Sequence, residues 1–312
     1  MNIRQLQHFL AVMDTGSLSA AAEAVHLSIP ALSRSLKTLE EELRVSLFDR
    51  TNRRLRPTPY AWVYVERARR IVFDEREGAR ALGLMKNGAY GPLAFGLGSS
   101  IANDLLAPLI QQLISSGPTL RIQAQVQSTD VLLDFLRREK LDFFIGDVSS
   151  AASSTDLHSE PLHQCTFGWF ARPDHPLAGK QGITIDQLKM YPIIGSGYAS
   201  DILAYSMASL YGLELPLEKN FSVNINNVEA LHKLIASTDM IAPSTYVAML
   251  QPLRVKSVAP LDVTPALNLD MKLGIIRLAL RTLVPSSHQA FEIIRNYFSN
   301  IEGEISQYIL SN

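Results

Sequence analysis

The sequence predicts a multi-domain α/β protein, and three observations along its 312 residues lead to that prediction. Short amphipathic helices and an arginine-rich turn occupy residues 17–54, and residues 60–85 repeat apolar side chains with heptad spacing. In the rest of the chain, strand patterns alternate with helix patterns, which is typical of α/β sheets. We therefore expect an N-terminal winged helix-turn-helix domain (1–59), a long linker helix (60–88) and a two-lobed α/β domain (91–312).

The composition favours a protein without membrane spans that binds a polyanion at one end. Hydrophobic residues make up 47% of the chain, and no run of about 18 apolar residues occurs, which excludes a membrane helix. Residues 1–90 hold 14 Lys and Arg against 10 Asp and Glu, whereas the remaining residues hold 15 against 20. The N-terminus lacks the apolar core of a signal peptide, and the single cysteine, Cys165, cannot form an intramolecular disulfide. We therefore expect a cytoplasmic protein.

Three short helices are predicted in the first 43 residues. Ser17 is placed as the N-cap of the second helix and Ser28 as the N-cap of the third. Pro30 is tolerated in the first turn of the third helix, because N–H groups there have no intrahelical partner. Apolar residues at helical spacing form the buried faces of the first and third helices. These residues are Leu6, Phe9, Leu10 and Met13, and Leu32, Leu36, Leu39 and Leu43.

The arginine-rich run 49–56 is interpreted as a β-wing beside the third helix. A two-helix unit followed by a basic wing fits the major groove of duplex DNA, where Arg34 has the reach for a guanine edge. The alternatives are an Arg34 that is only a solvated charge on the helix, with Glu41 and Glu42 as candidate partners, and an Arg50 that anchors the wing internally. The residues expected to contact double-stranded DNA are Ser28, Pro30, Ala31, Ser33, Arg34, Lys37, Arg50, Arg53 and Arg54.

The predicted linker helix carries an a/d seam of mostly small residues. Its members are Ala61, Val65, Ala68, Val72, Glu75, Ala79 and Leu82, spaced alternately by four and three. Such a seam indicates pairing with a second copy of the chain. The alternative is a helix that lies on its own domain.

The α/β domain is predicted to contain two lobes built around parallel sheets. Lobe I is expected at about 91–161 and 266–304, and lobe II at about 162–265. The predicted strands are 93–97, 121–126, 141–145, 166–171, 191–194 and 273–276, and the predicted helices are 101–114, 131–138, 202–211, 227–236 and 287–301.

Hydroxyl side chains follow the predicted strands where helices begin. Ser99 and Ser100 follow the first strand, and Ser128 and Thr129 follow the second. Hydroxyls and free N–H groups at helix starts suit an anion, so we expect a small molecule between the lobes. The alternative is that each Ser or Thr only caps a helix. The expected binding residues are Ser99, Ser100, Ile101, Ser128, Thr129, Gly146, Ser196 and Asn227.

Catalytic and metal sites are not predicted, and we expect no enzyme and no cofactor. Gly96–Gly98 resembles the start of a dinucleotide fingerprint, but Ile101 occupies the third glycine position. His158, His163 and Cys165 are too few for a metal site. Two other functions remain open: a small-molecule-binding module whose DNA contact is incidental, and a nucleotide-dependent enzyme.

The N-terminal motif resembles that of the LysR-type transcriptional regulators. Gly16-Ser17, Ala21-Ala22, Pro30–Ser33, Leu39-Glu40 and Leu47-Phe48 all stand in the register of that family. The resemblance continues through the linker helix and both lobes, and it covers essentially the whole chain. Two departures stand out: Ile29 replaces a usual Gln, and Asp239 lies in a loop that is usually rich in glycine.

The resemblance implies a regulator of transcription that binds promoter DNA as a homotetramer, with dimers formed through the linker helix. It also implies a two-lobed effector-binding domain similar to periplasmic binding proteins, and an effector that is a small carboxylate or a related molecule. RNA polymerase is a further implied partner, a membrane is not, and the protein is expected at the nucleoid when bound to DNA. Some relatives sense peroxide through a cysteine pair, which the lone Cys165 cannot form within one chain.

Overall fold

A computed structural model describes residues 1–49, 55–87, 92–117, 119–152, 154–196 and 201–310. The chain divides into two compact units, Met1–Lys86 and Asn87–Asn312. Three of the expected DNA contacts, Arg50, Arg53 and Arg54, lie outside the described residues. Among the described residues, no helix combines the length and the apolar character that crossing a membrane requires.

The first unit is a helical domain with a short β-wing. Its elements are α1 (Ile3–Thr15), α2 (Leu18–Ala24), α3 (Ile29–Leu43), β1 (Phe48–Asp49), β2 (Arg56–Pro57) and α4 (Pro59–Asn87). Strands β1 and β2 pair antiparallel, which places the base of the predicted wing directly after α3. Ser28 caps α3 as predicted, because its Oγ accepts a hydrogen bond from the Ala31 N–H. Ser17 precedes α2 as predicted, but its hydroxyl contacts Ser19 Oγ at 2.9 Å.

One hydrophobic core joins the helices of the first unit. The leucine stripe of α3 packs with Phe9 of α1, Leu47 before β1 and Phe48 in β1. The first half of the predicted seam of α4 lies in the same core. Its buried members are Ala61, Val65, Ala68 and Val72. The heptad spacing of these four residues therefore results from packing within their own domain. Heptad spacing alone does not distinguish a helix that faces a partner from one that faces its own core.

Lobe I of the second unit is a five-stranded sheet in the order β4-β3-β5-β12-β6. Its elements are β3 (Leu93–Gly98), α5 (Ser99–Ser116), β4 (Ile122–Gln127), α6 (Thr129–Arg137), β5 (Phe143–Asp147), β6 (Leu157–Gln164), β12 (Lys272–Leu278) and α11 (Pro285–Leu310). Strands β4, β3 and β5 are parallel as predicted, whereas β12 is antiparallel to both β5 and β6. The prediction of a purely parallel sheet is therefore wrong for this lobe, and β6 is a strand that the sequence analysis missed.

Lobe II contains a three-stranded antiparallel sheet and a two-stranded parallel one. Its elements are β7 (Phe167–Ala171), α7 (Ile185–Leu188), β8 (Ile194–Ser196), α8 (Asp201–Tyr211), β9 (Val223–Ile225), α9 (Val228–Ser237), β10 (Ala242–Thr245), α10 (Leu250–Arg254) and β11 (Ala259–Leu261). The order β10-β7-β11 is antiparallel, so the prediction of a parallel sheet is wrong for this sheet as well. Strand β8 pairs parallel with β9, as predicted for the lobe. The Ile194 N–H donates to the Ile241 carbonyl, which links the two sheets. The core of this lobe packs around Trp169, which is almost fully buried.

Candidate functional site

The third helix of the first unit presents a polar face opposite its buried leucines. Leu32, Leu36 and Leu39 are buried, whereas Ser28, Pro30, Arg34 and Lys37 are exposed and Ala31 and Ser33 are half-buried. All six of these expected DNA contacts therefore lie away from the core, at the start or along the outer face of α3. Ile29, the departure from the family pattern, is also exposed at this end.

The guanidinium of Arg34 is available to a ligand. It makes no ion pair with any residue that the structure describes, and both proposed alternative partners have other contacts. Glu41 pairs with Lys37 at 3.7 Å, and Glu42 pairs with the N-terminal amine of Met1. Arg34 therefore has neither suggested partner. It is an exposed cation on the outer face of α3, as both the predicted DNA contact and the alternative of a solvated helix charge expect.

Arg56 is a further cation of the wing, and the list of expected contacts omitted it. It lies in β2, where it stands opposite Asp49 of β1 in the strand register, and it is exposed. The signal was present in the sequence, since Arg56 ends the arginine-rich run.

In lobe I, the structure brings together the residues expected after the three parallel strands. A Cβ added to Gly98 would lie 4.0 Å from Ser100 Oγ and 3.9 Å from Gly146 Cα, and one added to Gly146 would lie 3.3 Å from Thr129 Oγ1. The first turn of α5, the first turn of α6 and the end of β5 therefore meet at one edge of the sheet. This edge is where ligands bind in open α/β sheets.

The role of each expected residue at this edge differs. Ser128 precedes α6 and is buried, and within the described residues its Oγ makes no capping hydrogen bond. The side chain of Ile101 is fully buried, so only its backbone is able to meet a ligand. Asp147, which ends β5 beside these residues and is not one of the expected binding residues, caps a short turn: its carboxylate accepts hydrogen bonds from the Ser149 N–H and hydroxyl.

In lobe II, the two expected residues stand at the ends of different elements. Ser196 is exposed at the end of β8. Asn227 caps α9, because its Oδ1 accepts a hydrogen bond from the Ala230 N–H at 2.9 Å. For Asn227 the capping alternative therefore describes what the side chain does in this structure.

A polar cluster that the sequence analysis missed joins α5 of lobe I to α10 of lobe II. The buried carboxylate of Asp104 accepts hydrogen bonds from Gln251, from Arg254 at 2.5 Å and from the Tyr297 hydroxyl at 2.8 Å. Arg254 also forms two hydrogen bonds of 2.7 Å with Glu304 of α11. The hydrogen bonds with Glu304 raise the pKa of Arg254, and burial together with the Asp104 charge raises the pKa of Tyr297.

Two other titratable groups lie in apolar surroundings. Cys165 is buried, and burial raises the pKa of its thiol, which keeps the sulfur protonated and unreactive. His163 stacks on Phe298, and burial lowers the pKa of its imidazole. In the part of the chain that the structure describes, no group of three His, Cys, Asp or Glu residues is placed to hold a metal ion.

Comparisons with known proteins match both units. The family model described as "Bacterial regulatory helix-turn-helix protein, lysR family" matches residues 3–62, and the model described as "LysR substrate binding domain" matches residues 86–299. The chain is 29% identical to the SDS degradation transcriptional activation protein of a Pseudomonas species over 289 residues, which cover 92% of this chain and 93% of that protein.

Solved structures share the fold over nearly the whole chain. The structure is similar to that of OxyR from Corynebacterium glutamicum, with a TM-score of 0.56, 19% identity and coverage of 98% of this chain and 95% of that one. It is also similar to HinK, a LysR family transcriptional regulator from Pseudomonas aeruginosa, with a TM-score of 0.53, 17% identity and coverage of 95% and 98%.

Proposed function

The chain belongs to the LysR family of bacterial transcriptional regulators, with a DNA-binding and an effector-binding domain, and we propose that Arg34 reads its promoter site. The guanidinium of Arg34 carries this proposal, because it is exposed on the outer face of α3 and has no ion-pair partner among the described residues. A bidentate pair with a guanine edge is the commonest specific contact in the major groove. Lys37, Arg56 and the arginines of the wing would neutralise phosphates on either side of the recognition helix.

Close approach of α3 to the bases is expected from the small residues at its start. Ser28 has its Oγ occupied by the helix cap, so its contact with DNA would be made by the exposed rest of the residue. Ala31 and Pro30 present apolar surface that suits a thymine methyl group.

The proposed effector lies between the lobes, at the edge where α5 and α6 begin. Ser99, Ser100, Ser128 and Thr129 offer hydroxyls there, and the first turns of two helices offer N–H groups. This donor set suits a small carboxylate, and Gly146 leaves room for it because a side chain there would meet Thr129. Ser196 and Asn227 would contribute from lobe II.

Self-association is proposed through α4. Its buried residues face the domain's own core, but Tyr60, Trp62 and Val63 are exposed apolar residues at the start of the same helix. A second copy would cover them, which gives a dimer with two recognition helices, and two dimers would form the expected tetramer on a site in two halves. Such a protein acts in the cytoplasm at the nucleoid, where contact with RNA polymerase would transmit the effector signal.

Footprinting of the DNA upstream of the protein's own gene tests the DNA-binding part of this proposal. We expect protection of two half-sites, and about six phosphate contacts would give a slope near −5 for log affinity against log salt. Binding that is equal for random DNA of the same length would contradict it.

Thermal shifts with a panel of small carboxylates test the effector site. We expect one or more to raise the melting temperature, and Ser100→Ala to remove that rise. Ser115→Ala is the matched control, because Ser115 lies at the other end of α5 and donates to the Gln111 carbonyl. Equal shifts in both variants would place the ligand elsewhere.

A further inference from the structure

A carboxylate on the recognition helix holds the base of the wing. Glu40 lies in the last turn and a half of α3, on the same helix as Arg34 and Lys37. Its Oε1 accepts hydrogen bonds from the Leu47 N–H at 2.7 Å and from the Phe48 N–H at 3.0 Å. Both donors are main-chain groups at the entrance to the wing, so the carboxylate fixes the backbone at the point where β1 begins.

The other end of the wing is tied to the same short segment. The Thr58 hydroxyl donates to the Ser46 carbonyl at 2.7 Å, and the Thr58 N–H donates to the Leu47 carbonyl at 2.9 Å. Residues 46–48 are therefore held from α3 by Glu40 and from the start of α4 by Thr58. The exposed Arg56 stands on β2, the strand that pairs with β1 next to these contacts.

We propose that Glu40 is a positioning residue for DNA binding, which sets the height and angle of the wing relative to the recognition helix. The proposal rests on the proposed DNA-binding role of α3 and the wing. A helix in the major groove and a wing on the phosphates must be spaced to match the duplex. Glu40 provides that spacing, because its side chain extends from the helix and accepts hydrogen bonds from the two residues that lead into the wing.

The proposed positioning depends on where the carboxylate oxygen reaches and not on its charge alone. A charged acceptor strengthens both bonds, but an uncharged amide oxygen at the same place accepts them as well. A shorter side chain keeps the charge and withdraws the oxygen from both N–H groups. Reach and charge are thus separable by two conservative variants, Glu40→Gln and Glu40→Asp.

The test measures the affinity of the full-length protein for its upstream DNA as a function of salt. Each lost phosphate contact lowers the salt slope by about 0.9, so we expect Glu40→Asp to lower it by about 1–3 and to weaken binding at least fivefold. Glu40→Gln is expected to keep the wild-type slope. Glu23→Gln, at an exposed position on α2, controls for the general effect of removing one negative charge from this domain.

A second comparison shows whether Glu40 acts through the wing. Arg56→Ala alone is expected to lower the slope by about 0.9. In the Glu40→Asp background it is expected to have a smaller effect, because a displaced wing has already lost that contact. Circular dichroism and thermal melting of every variant identify loss of fold, which neither conservative substitution is expected to cause.

The opposite ranking would overturn the proposal. If Glu40→Asp binds like the wild type and Glu40→Gln is impaired, the charge matters and the positioning does not. Equal slopes in all folded variants would also refute it. Failure of the wild type to prefer its upstream DNA is a different result, since it would refute the proposed DNA-binding function before Glu40 is tested.

Discussion

Replacing Asp104 by alanine removes the carboxylate that ties lobe I to lobe II. The side chain is 5% exposed and accepts hydrogen bonds from Arg254 and Tyr297, which lie on different helices. Removing one member of a buried polar cluster leaves its partners without an acceptor, and this usually costs more than the bond itself contributed. We therefore expect the second unit to lose stability in Asp104→Ala.

The size of the loss follows from what each partner retains. The Tyr297 hydroxyl loses a charged acceptor at 2.8 Å, which costs about 1.5–3 kcal/mol. Arg254 keeps Glu304 and is about one third exposed, so its loss is about 0.5–1 kcal/mol. Gln251 is exposed and is rehydrated. The expected decrease in the free energy of unfolding is about 2–4 kcal/mol.

Urea unfolding followed by tryptophan fluorescence measures this decrease. Trp169 lies in the core of lobe II, and the only other tryptophan, Trp62, is 62% exposed, so the change in emission reports mainly on the second unit. Asp134→Ala is the control, because its exposed pair with Arg138 is worth less than about 1 kcal/mol.

A double-mutant cycle with Tyr297→Phe decides the mechanism. If the two groups interact as the structure indicates, the coupling free energy is at least about 1 kcal/mol. A loss in Asp104→Ala no larger than that of Asp134→Ala, or a coupling near zero, would refute the reasoning.

Two further predictions concern self-association and acid stability. Val63 is 78% exposed on α4, so Val63→Asp is expected to leave each domain folded. It is expected to weaken the dimer by about tenfold or more in analytical ultracentrifugation, because the interface would bury an unpaired charge. An unchanged dimer would exclude this face of α4 as the interface. The hydrogen bonds from Arg295 to Glu160 lower the pKa of Glu160 below its ordinary value of 4.5. The pair therefore stabilises the fold at pH values above 4.5, and this stabilisation is lost as the pH falls through the lowered pKa of Glu160. Glu160→Gln is therefore expected to cost no more than about 1 kcal/mol at pH 7 and to melt like the wild type at the lowest pH; a difference that grows on acidification would contradict this assignment.

The first unit was predictable from the sequence because its signals are local. Three signals of α3 each depend on residues within a few positions of one another: the N-cap at Ser28, the proline in the first turn and the leucine stripe. The observed helices begin and end within a few residues of the predicted ones. The direction in which the seam of α4 faces was not predictable, because the same spacing serves a partner helix and the domain's own core.

The second unit was predicted less completely for physical reasons. Strand β6 reads as a mixture of polar residues with Pro161 in its interior, which argues against a strand, yet it forms the edge of the sheet beside β12. The register shifts opposite Pro161, between Leu273 and Gly274, so the ladder accommodates the missing N–H.

The polar cluster around Asp104 was missed because its partners are distant in sequence. Gln251, Arg254 and Tyr297 lie 147, 150 and 193 residues away. The signal that was available is a carboxylate beside Ile101, Ala102 and Leu105 on the apolar face of α5, which indicates a buried partner without identifying it.

The specificity ratio of Arg34→Ala tests the central claim most directly. The measurement is the affinity for upstream DNA divided by the affinity for scrambled DNA, at one salt concentration, for wild type, Arg34→Ala and the exposed control Arg121→Ala. Loss of a bidentate base contact costs about 1–3 kcal/mol, so we expect the ratio to fall about 5- to 150-fold in Arg34→Ala and to stay constant in Arg121→Ala. An unchanged ratio in Arg34→Ala would contradict the assignment of the outer face of α3 as the surface that reads DNA.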